Sequence, residues 1–145
     1  MDRRTRVAGI WLSDNSVLLE SLVHADVWGI PGGRLEDNES LEEGCRREYR
    51  EETGIEVVCS SLAIVNENFW YDEGTLVREY GFYFRVDSKS TSTDSKPHVV
   101  SLEPELRFRW FELHDLPTIT IVPKFLKEVL PGLPDRLIFV KTGEL

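Results

Sequence analysis

Three glutamates between residues 48 and 52 have a spacing that places carboxylates together on a helix. Glu48, Glu51 and Glu52 are related by i, i+3 and i+4, so they share one face. At about 100° per residue, Glu52 also falls between Leu41 and Cys45, inside the apolar stripe that should face the core. Carboxylates this close repel one another, and burying one is costly without a positive partner. Because Mg²⁺ and Mn²⁺ bind carboxylate oxygens, the pattern favours a metal site over a solvated acidic face.

A run of turn formers, Pro31-Gly32-Gly33, precedes these glutamates. Glycine lets the backbone approach a ligand closely. Trp28 lies just before this turn and Arg34 directly after it, so Trp28 is a candidate to stack on a nucleobase and Arg34 to bind phosphate. Packing of Trp28 in the core is an equally good interpretation. Arg78 is a further candidate phosphate ligand, although an ordinary surface arginine explains it more simply.

A single helix should carry the glutamates. Ser40 is placed as its N-cap, and Glu43 completes a capping-box pattern three residues later. The helix should end near Thr53, with Gly54 as the residue after its C-cap. A second amphipathic helix is expected over residues 122–130, where apolar residues recur at i, i+3, i+4, i+7 and i+8.

Runs of β-branched and aromatic residues predict the strands. A turn near residues 72–74 should join two long strands into a hairpin, and residues 87–98 should form a mobile loop because they contain no large apolar side chain. Many strands with two separated helices favour an α+β fold. The expected strands are residues 5–12, 17–23, 55–62, 63–71, 76–86, 107–111 and 137–141.

Residues 33–55 contain a known family pattern. Gly33, Glu39 and the run REYREETGI at residues 47–55 match the Nudix box, G-x5-E-x7-R-E-U-x-E-E-x-G-U, in which U is usually aliphatic. The sequence therefore resembles the Nudix hydrolases. Its one departure is Tyr49, which occupies the first U position and puts the local packing in question more than metal binding.

The resemblance implies an α+β fold, namely an α/β/α sandwich with a mixed β-sheet, in one domain spanning residues 1–145. It also implies hydrolysis of a nucleoside diphosphate linked to another moiety, such as a nucleotide, a nucleotide sugar or a dinucleotide. Mg²⁺ or Mn²⁺ would be the cofactor, because a divalent ion screens the phosphates and lowers the pKa of a bound water.

The resemblance also implies a role for each residue of the box. Glu48, Glu51 and Glu52 would be metal ligands, with the Gly32 carbonyl as a further ligand in many members. Glu48 is the favoured general base. Some members take the base from a loop outside the box, and Glu103 and Glu105 are the candidates here, against the alternative that both are exposed loop acids. The positions with structural roles would be Gly33, Glu39, Arg47 and Gly54.

The overall charge limits the choice of partners. With 26 acidic and 17 basic residues, the net charge of -9 argues against binding of a nucleic-acid polymer by charge alone. No apolar run approaches the length of a membrane helix, and two cysteines cannot make a disulfide framework, so a soluble cytoplasmic protein is expected. An apolar edge of the long hairpin suggests a homodimer.

Two alternatives differ in class from a hydrolase. A Nudix-fold sensor would bind a nucleotide without turning it over, and retention of three helix carboxylates speaks against it. An isomerase of isoprenoid diphosphates would need a suitably placed catalytic cysteine. Cys45 lies on the carboxylate helix itself, so it does not meet that need.

Overall fold

A computed structural model describes residues 1–90 and 96–144. Within these residues the first α-helix, α1, spans Leu41–Thr53 and a short second one, α2, spans Leu126–Val129. Turns of 3-10 helix occupy Leu113–Thr118 and Leu130–Gly132. The strands are β1 (Asp2–Ile10), β2 (Leu12–Ser13), β3 (Ser16–Leu22), β4 (Gly32–Arg34), β5 (Val57–Asp72), β6 (Thr75–Ser88), β7 (Leu106–Glu112) and β8 (Ile138–Gly143).

The strands form two sheets. The larger sheet has the order β4-β1-β6-β5-β8 and is mixed, because β1 pairs with β6 and β5 with β8 in parallel, while β1–β4 and β5–β6 are antiparallel. The smaller sheet has the order β2-β3-β7. Antiparallel β3 and β7 pair along the whole of β3, from Ser16 with Glu112 to Leu22 with Leu106.

Two apolar cores lie on opposite faces of the larger sheet. Tyr49 of α1 packs with Val7 and Phe84 in one core, whereas Leu126 of α2 packs with Ala8 and Tyr83 in the other. Val7 and Ala8 are consecutive, and so are Tyr83 and Phe84, and successive residues of a strand point to opposite faces. Helical segments therefore cover both faces, which confirms the expected α/β/α sandwich of α+β class.

The ends of α1 are those expected from the sequence. The Ser40 hydroxyl accepts a hydrogen bond from the backbone N–H of Glu43 (3.2 Å). Gly54 adopts the left-handed conformation (φ 73°) and donates its N–H to the Arg50 carbonyl (2.9 Å). Both helix ends are thus fixed, which sets the rotation of the carboxylate face relative to the sheet.

Several predicted boundaries are wrong. The two strands predicted at residues 55–62 and 63–71 are one strand, β5, with irregularities in register between Cys59 and Ser61 and between Leu62 and Ile64. The bulges interrupt the side-chain alternation, which explains why the sequence pattern suggested two strands. Residues 113–118, for which no element was predicted, form a 3-10 helix.

The second predicted helix is much shorter than expected. Val122, its predicted first residue, instead belongs to a segment paired with Trp28, which donates its N–H to the Thr120 carbonyl and accepts one from Val122 (2.9 Å each). Pairing with Trp28 thus keeps Val122 out of the helix, residues 123–125 form a bend and turns, and the helix begins at Leu126. Leu126 and Leu130 are nonetheless buried, as their periodicity predicted.

The strand pair predicted to form a dimer edge is not at an edge of the sheet. Both strands of the long hairpin, β5 and β6, are interior in the sheet order, and the outer strands are β4 and β8. Dimerisation therefore stays a prediction, but the hairpin edge proposed to mediate it does not exist in this sheet. The expected mobile loop at residues 87–98 falls partly outside the described residues, and its first two positions belong to β6. No helix in the described part of the chain is long and apolar enough to cross a membrane.

Candidate active site

The three box glutamates differ sharply in exposure. The side chain of Glu51 is 52% exposed and that of Glu48 14% exposed, while Glu52 as a residue is 5% exposed. This gradient follows from the position of each glutamate around α1, since Glu52 lies in the stripe that packs on the sheet. The carboxylate face therefore runs from solvent into the protein.

Arg47 connects most of these acids. Its guanidinium forms a bidentate pair with Glu39 (2.8 Å to each oxygen) and also donates to Glu48 (3.0 Å) and Glu51 (3.1 Å). The hydrogen bonds with Glu39 raise the pKa of Arg47, and the same hydrogen bonds lower the pKa of Glu39. Arg47 also donates to the Arg34 carbonyl (3.2 Å), so it ties the loop that precedes the helix to the carboxylate face.

Strand β4 places two glycines against the site. A Cβ at Gly33 would lie within 2.7 Å of all three heavy atoms of the Glu48 carboxylate. A Cβ at Gly32 would instead meet the backbone of β1, with Ala8 Cα at 2.7 Å. Gly33 therefore permits close approach of Glu48 to the β4 backbone, whereas Gly32 permits the pairing of β4 with β1.

A fourth carboxylate, Glu20 of β3, adjoins Glu52 inside the protein. The carboxyl groups of Glu20 and Glu52 lie next to each other, and Glu48 also approaches Glu52. Burial raises the pKa of Glu52, and the neighbouring Glu20 and Glu48 raise it further. Sequence reasoning missed Glu20. The sequence feature that could have found it is its spacing of two residues from Leu18, because residues i and i+2 of a strand point to the same side and Leu18 is fully buried.

The donor set fits a hard divalent cation. Oε1 of Glu52 and Oε2 of Glu20 are buried without a hydrogen-bond partner among the described residues. Buried polar atoms are rarely left unpaired, and buried carboxylates need a counter-charge or a proton. Oxygen atoms from Glu48, Glu51 and Glu52, with the nearby Gly32 backbone, are the ligand type that Mg²⁺ and Mn²⁺ prefer.

Tyr49, the residue that departs from the box pattern, is fully integrated in the core. It is 1% exposed, meets Trp11 edge to face, and donates its hydroxyl to the Gly9 carbonyl (2.7 Å). A Cβ at Gly9 would lie 2.6 Å from the Tyr49 ring, so the larger side chain is accommodated by a glycine on β1. Cys45 is also buried in this core, at 1% exposure.

We expect Tyr49→Phe to destabilise the fold without altering the carboxylates. Loss of a buried hydrogen bond should lower the free energy of unfolding by about 1–2 kcal/mol. Urea denaturation followed by circular dichroism measures it. Tyr71→Phe is the matched control, because Tyr71 is exposed. Equal stability of the two variants would show that the hydroxyl contributes nothing.

A cavity of about 820 Å³ opens beside Glu20. Its size suits a ligand rather than a single water or ion. The side chains that line it include Arg6, Glu20, Trp28, Trp70, Tyr83 and Lys124.

The three residues predicted to bind substrate, Trp28, Arg34 and Arg78, lie in different environments. Trp28 lies in the cavity wall but is 3% exposed, with its ring packed against Phe111 and an Arg107 guanidinium 4.7 Å from its centroid. Arg34 is exposed at the end of β4. Arg78 lies beside Glu67 (3.7 Å) and the Phe69 ring, so it is not brought to the other two.

The loop that carries Glu103 and Glu105 is attached to the end of the carboxylate helix. Leu102 donates its backbone N–H to the Glu52 carbonyl (2.8 Å), and Val23 donates to the Glu105 carbonyl (2.8 Å). Glu105 is exposed and Glu103 half-buried. The loop is therefore fixed next to α1, and a role for either acid stays a prediction.

Comparisons with known proteins agree with this geometry. The family model for the NUDIX domain matches residues 3–133. An uncharacterised Nudix hydrolase, YvcI of Bacillus subtilis, is 30% identical over 111 residues, which cover 77% of this chain and 67% of that protein. An 8-oxo-dGTP diphosphatase of Proteus vulgaris is 39% identical over 70 residues, 48% of this chain and 59% of that protein.

Solved structures share the architecture. The crystal structure of a MutT protein from Bacillus halodurans superimposes with a TM-score of 0.71 at 21% identity, covering 95% of this chain and 88% of that one. At that identity the likeness concerns the fold. The sequence match over residues 3–133 includes the carboxylate helix, the β4 glycines and Glu20.

Proposed function

Because the chain belongs to the Nudix family and is a hydrolase of phosphoric anhydride bonds, we propose that it cleaves a nucleoside diphosphate linked to another moiety. The other moiety is a nucleotide, a sugar or a further phosphate group. The observation that carries the proposal is the buried Glu52, which has an unpartnered oxygen and adjoins Glu20, an acid that lines a cavity large enough for a nucleoside. Such an arrangement suits a divalent cation and a phosphate-bearing substrate.

Glu48, Glu51 and Glu52 would hold Mg²⁺ or Mn²⁺, with the carbonyl of Gly32 as a further ligand. When bound, the cation neutralises phosphate charge and acidifies water. Arg47 contributes orientation, because its hydrogen bonds to Glu48 and Glu51 fix where both carboxylates point. Its bidentate pair with Glu39 fixes the guanidinium in turn.

Glu48 is the proposed general base. Its Oε1 is fixed by Arg47, and its carboxylate lies against the Gly33 backbone, so it is held in one place for proton removal. Glu103 and Glu105 are the alternative bases. The attachment of their loop to the Glu52 carbonyl supports them as alternatives.

The nucleoside would occupy the cavity. Trp70 supplies partly exposed aromatic surface there, while Trp28 and Tyr83, each 3% exposed, form part of the buried wall. Stacking on a base contributes about 1–3 kcal/mol. Arg6 adds a positive charge near the metal side, because it lies 3.7 Å from Glu20. Arg34 remains a candidate phosphate ligand, whereas Arg78, whose Nε lies 3.7 Å from a Glu67 oxygen, is not assigned to the substrate. The two free cysteines support a reducing compartment such as the cytoplasm.

A substrate panel tests this proposal. The purified protein is incubated with Mg²⁺ or Mn²⁺ and ADP-ribose, dinucleoside polyphosphates, nucleotide sugars, NADH, and ordinary and oxidised dNTPs. We expect release of a nucleoside monophosphate from at least one class, measured by ion-exchange chromatography, and no release in EDTA. Tight binding across the panel with no product would instead indicate a nucleotide sensor. The buried Cys45 gives no support to an isomerase.

A further inference from the structure

Glu20 is held rigidly at the junction of the box and the cavity, although it belongs to neither the box nor α1. Its backbone exchanges two hydrogen bonds with Gly29 (2.9 Å each) on one side, and it pairs with Phe108 of β7 on the other. The orientation of its side chain is therefore fixed by two neighbouring segments rather than by a loop.

The Glu20 carboxyl group meets the site from the side opposite α1. It contacts Glu52 and the Gly32 backbone, while Glu48 lies near enough to influence its charge. Its side chain is 12% exposed, and its Oε2 lacks a hydrogen-bond partner among the described residues. Glu52, which is only 5% exposed and adjoins Glu20 and Glu48, also has an Oε1 without a hydrogen-bond partner among the described residues.

The positive charge within the protein does not balance these acids. Arg6 lies 3.7 Å from Glu20 and also donates to the Ile30 carbonyl (3.2 Å), and Arg47 is engaged with Glu39, Glu48 and Glu51. Glu52 is buried and Glu20 largely so, and two such carboxylates in contact repel each other unless a proton or a cation lies between them. One proton shared by Glu20 Oε2 and Glu52 Oε1 would remove a single negative charge, whereas a divalent cation supplies two positive charges to a group of acids that Arg6 and Arg47 do not balance.

We propose that Glu20 is a metal ligand supplied by β3, which binds the cation together with Glu52 on the cavity side of the site. This inference rests on the proposed function, since it assigns an additional ligand to the same metal centre. The cation would then be bound by residues of three elements, α1, β3 and β4. This arrangement also places one metal ligand on the wall of the cavity that would hold the nucleoside.

Binding of Mn²⁺ alone tests the assignment. The concentration of free Mn²⁺ is followed by electron paramagnetic resonance for the wild-type protein, Glu20→Gln and Glu128→Gln. Glu128 is exposed on α2, so its variant has the same change in net charge far from the box acids in sequence. We expect Glu20→Gln to weaken Mn²⁺ binding by about 10-fold or more and Glu128→Gln to leave it unchanged. Wild-type affinity in Glu20→Gln would overturn the assignment.

Two further readouts separate ligation from a structural role. Water-proton relaxation per bound Mn²⁺ should rise in Glu20→Gln, because a water replaces the lost carboxylate. A weaker affinity without that rise would contradict direct ligation. In EDTA the melting temperature of Glu20→Gln should equal or exceed that of the wild type, while its rise on adding Mn²⁺ should shrink. A lower melting temperature in EDTA with an undiminished Mn²⁺ shift would mean that Glu20 is only structural.

The proposed function and this inference fail differently. If Glu20→Gln keeps its Mn²⁺ affinity while the wild type hydrolyses a substrate of the panel, only the ligand assignment is wrong. If the wild type neither binds Mn²⁺ nor releases product, both are overturned. Should Glu20→Gln not fold, Glu20→Asp retains the charge but shortens the side chain, and unaltered Mn²⁺ affinity in that variant would again contradict the assignment.

Discussion

Glu52→Gln is expected to lower Mg²⁺-dependent turnover by about 100-fold or more while the protein stays folded. Loss even of groups that only support a metal ligand costs about 10–100-fold in metal affinity or activity, and Glu52 is proposed as a ligand itself. The fold should persist because the new amide can donate to Glu20 and removes a buried like-charge contact. Glu51→Gln, at the solvent end of the same face, should have a comparable effect on turnover.

Glu42→Gln provides the control for both variants. Glu42 is an exposed acid in the first turn of the same helix, so its replacement changes net charge equally. Initial rates at saturating Mg²⁺ on a responsive substrate, with melting temperatures for each variant, measure the effect. Near-normal rates in both Glu51→Gln and Glu52→Gln would show that the metal assignment is wrong.

Gly33→Ala should abolish most activity by displacing a carboxylate without removing it. The added methyl group would collide with the Glu48 carboxylate, because a Cβ at residue 33 would lie within 2.7 Å of all three of its heavy atoms. Glu48 must therefore move aside, and a misplacement of about 1 Å can cost about 100-fold in rate. Measured kcat should fall while the far-ultraviolet spectrum is retained.

Gly132→Ala is the matched control, because a Cβ there would meet nothing within 4 Å. Its rate and melting temperature should equal those of the wild type. Gly32→Ala should behave differently from both, since its methyl group would collide with the β1 backbone and lower stability. A Gly33→Ala variant with unaltered kcat would mean that the position of Glu48 does not matter to the reaction.

The carboxylate helix was predictable because all of its signals are local. Ser40 and Gly54 mark its ends through their own backbone preferences, and the helical period alone placed Glu52 among apolar residues. The period of α1 also indicated which glutamate would be most buried. Short-range sequence patterns therefore sufficed to predict the helix that carries the box glutamates.

The remaining features of the candidate site and its surroundings depend on contacts between segments that are distant in sequence. Glu20 meets Glu52 only because β3 and α1 pack on the same side of the fold, which no short-range pattern records. The pairing of Trp28 with residues 120–122 likewise keeps Val122 out of the helix predicted to begin there. The compensation of Tyr49 by Gly9 is a third case, since the two residues are adjacent only across the core.

The box carboxylates are proposed to hold the divalent cation on which hydrolysis depends. The most direct test compares release of nucleoside monophosphate by metal-stripped wild-type protein before and after addition of Mg²⁺, with Glu52→Gln treated identically. We expect no release by the stripped protein, full recovery of the wild type with Mg²⁺, and little recovery of Glu52→Gln at the same concentration. Undiminished release in EDTA, or equal recovery of Glu52→Gln, would contradict the proposal.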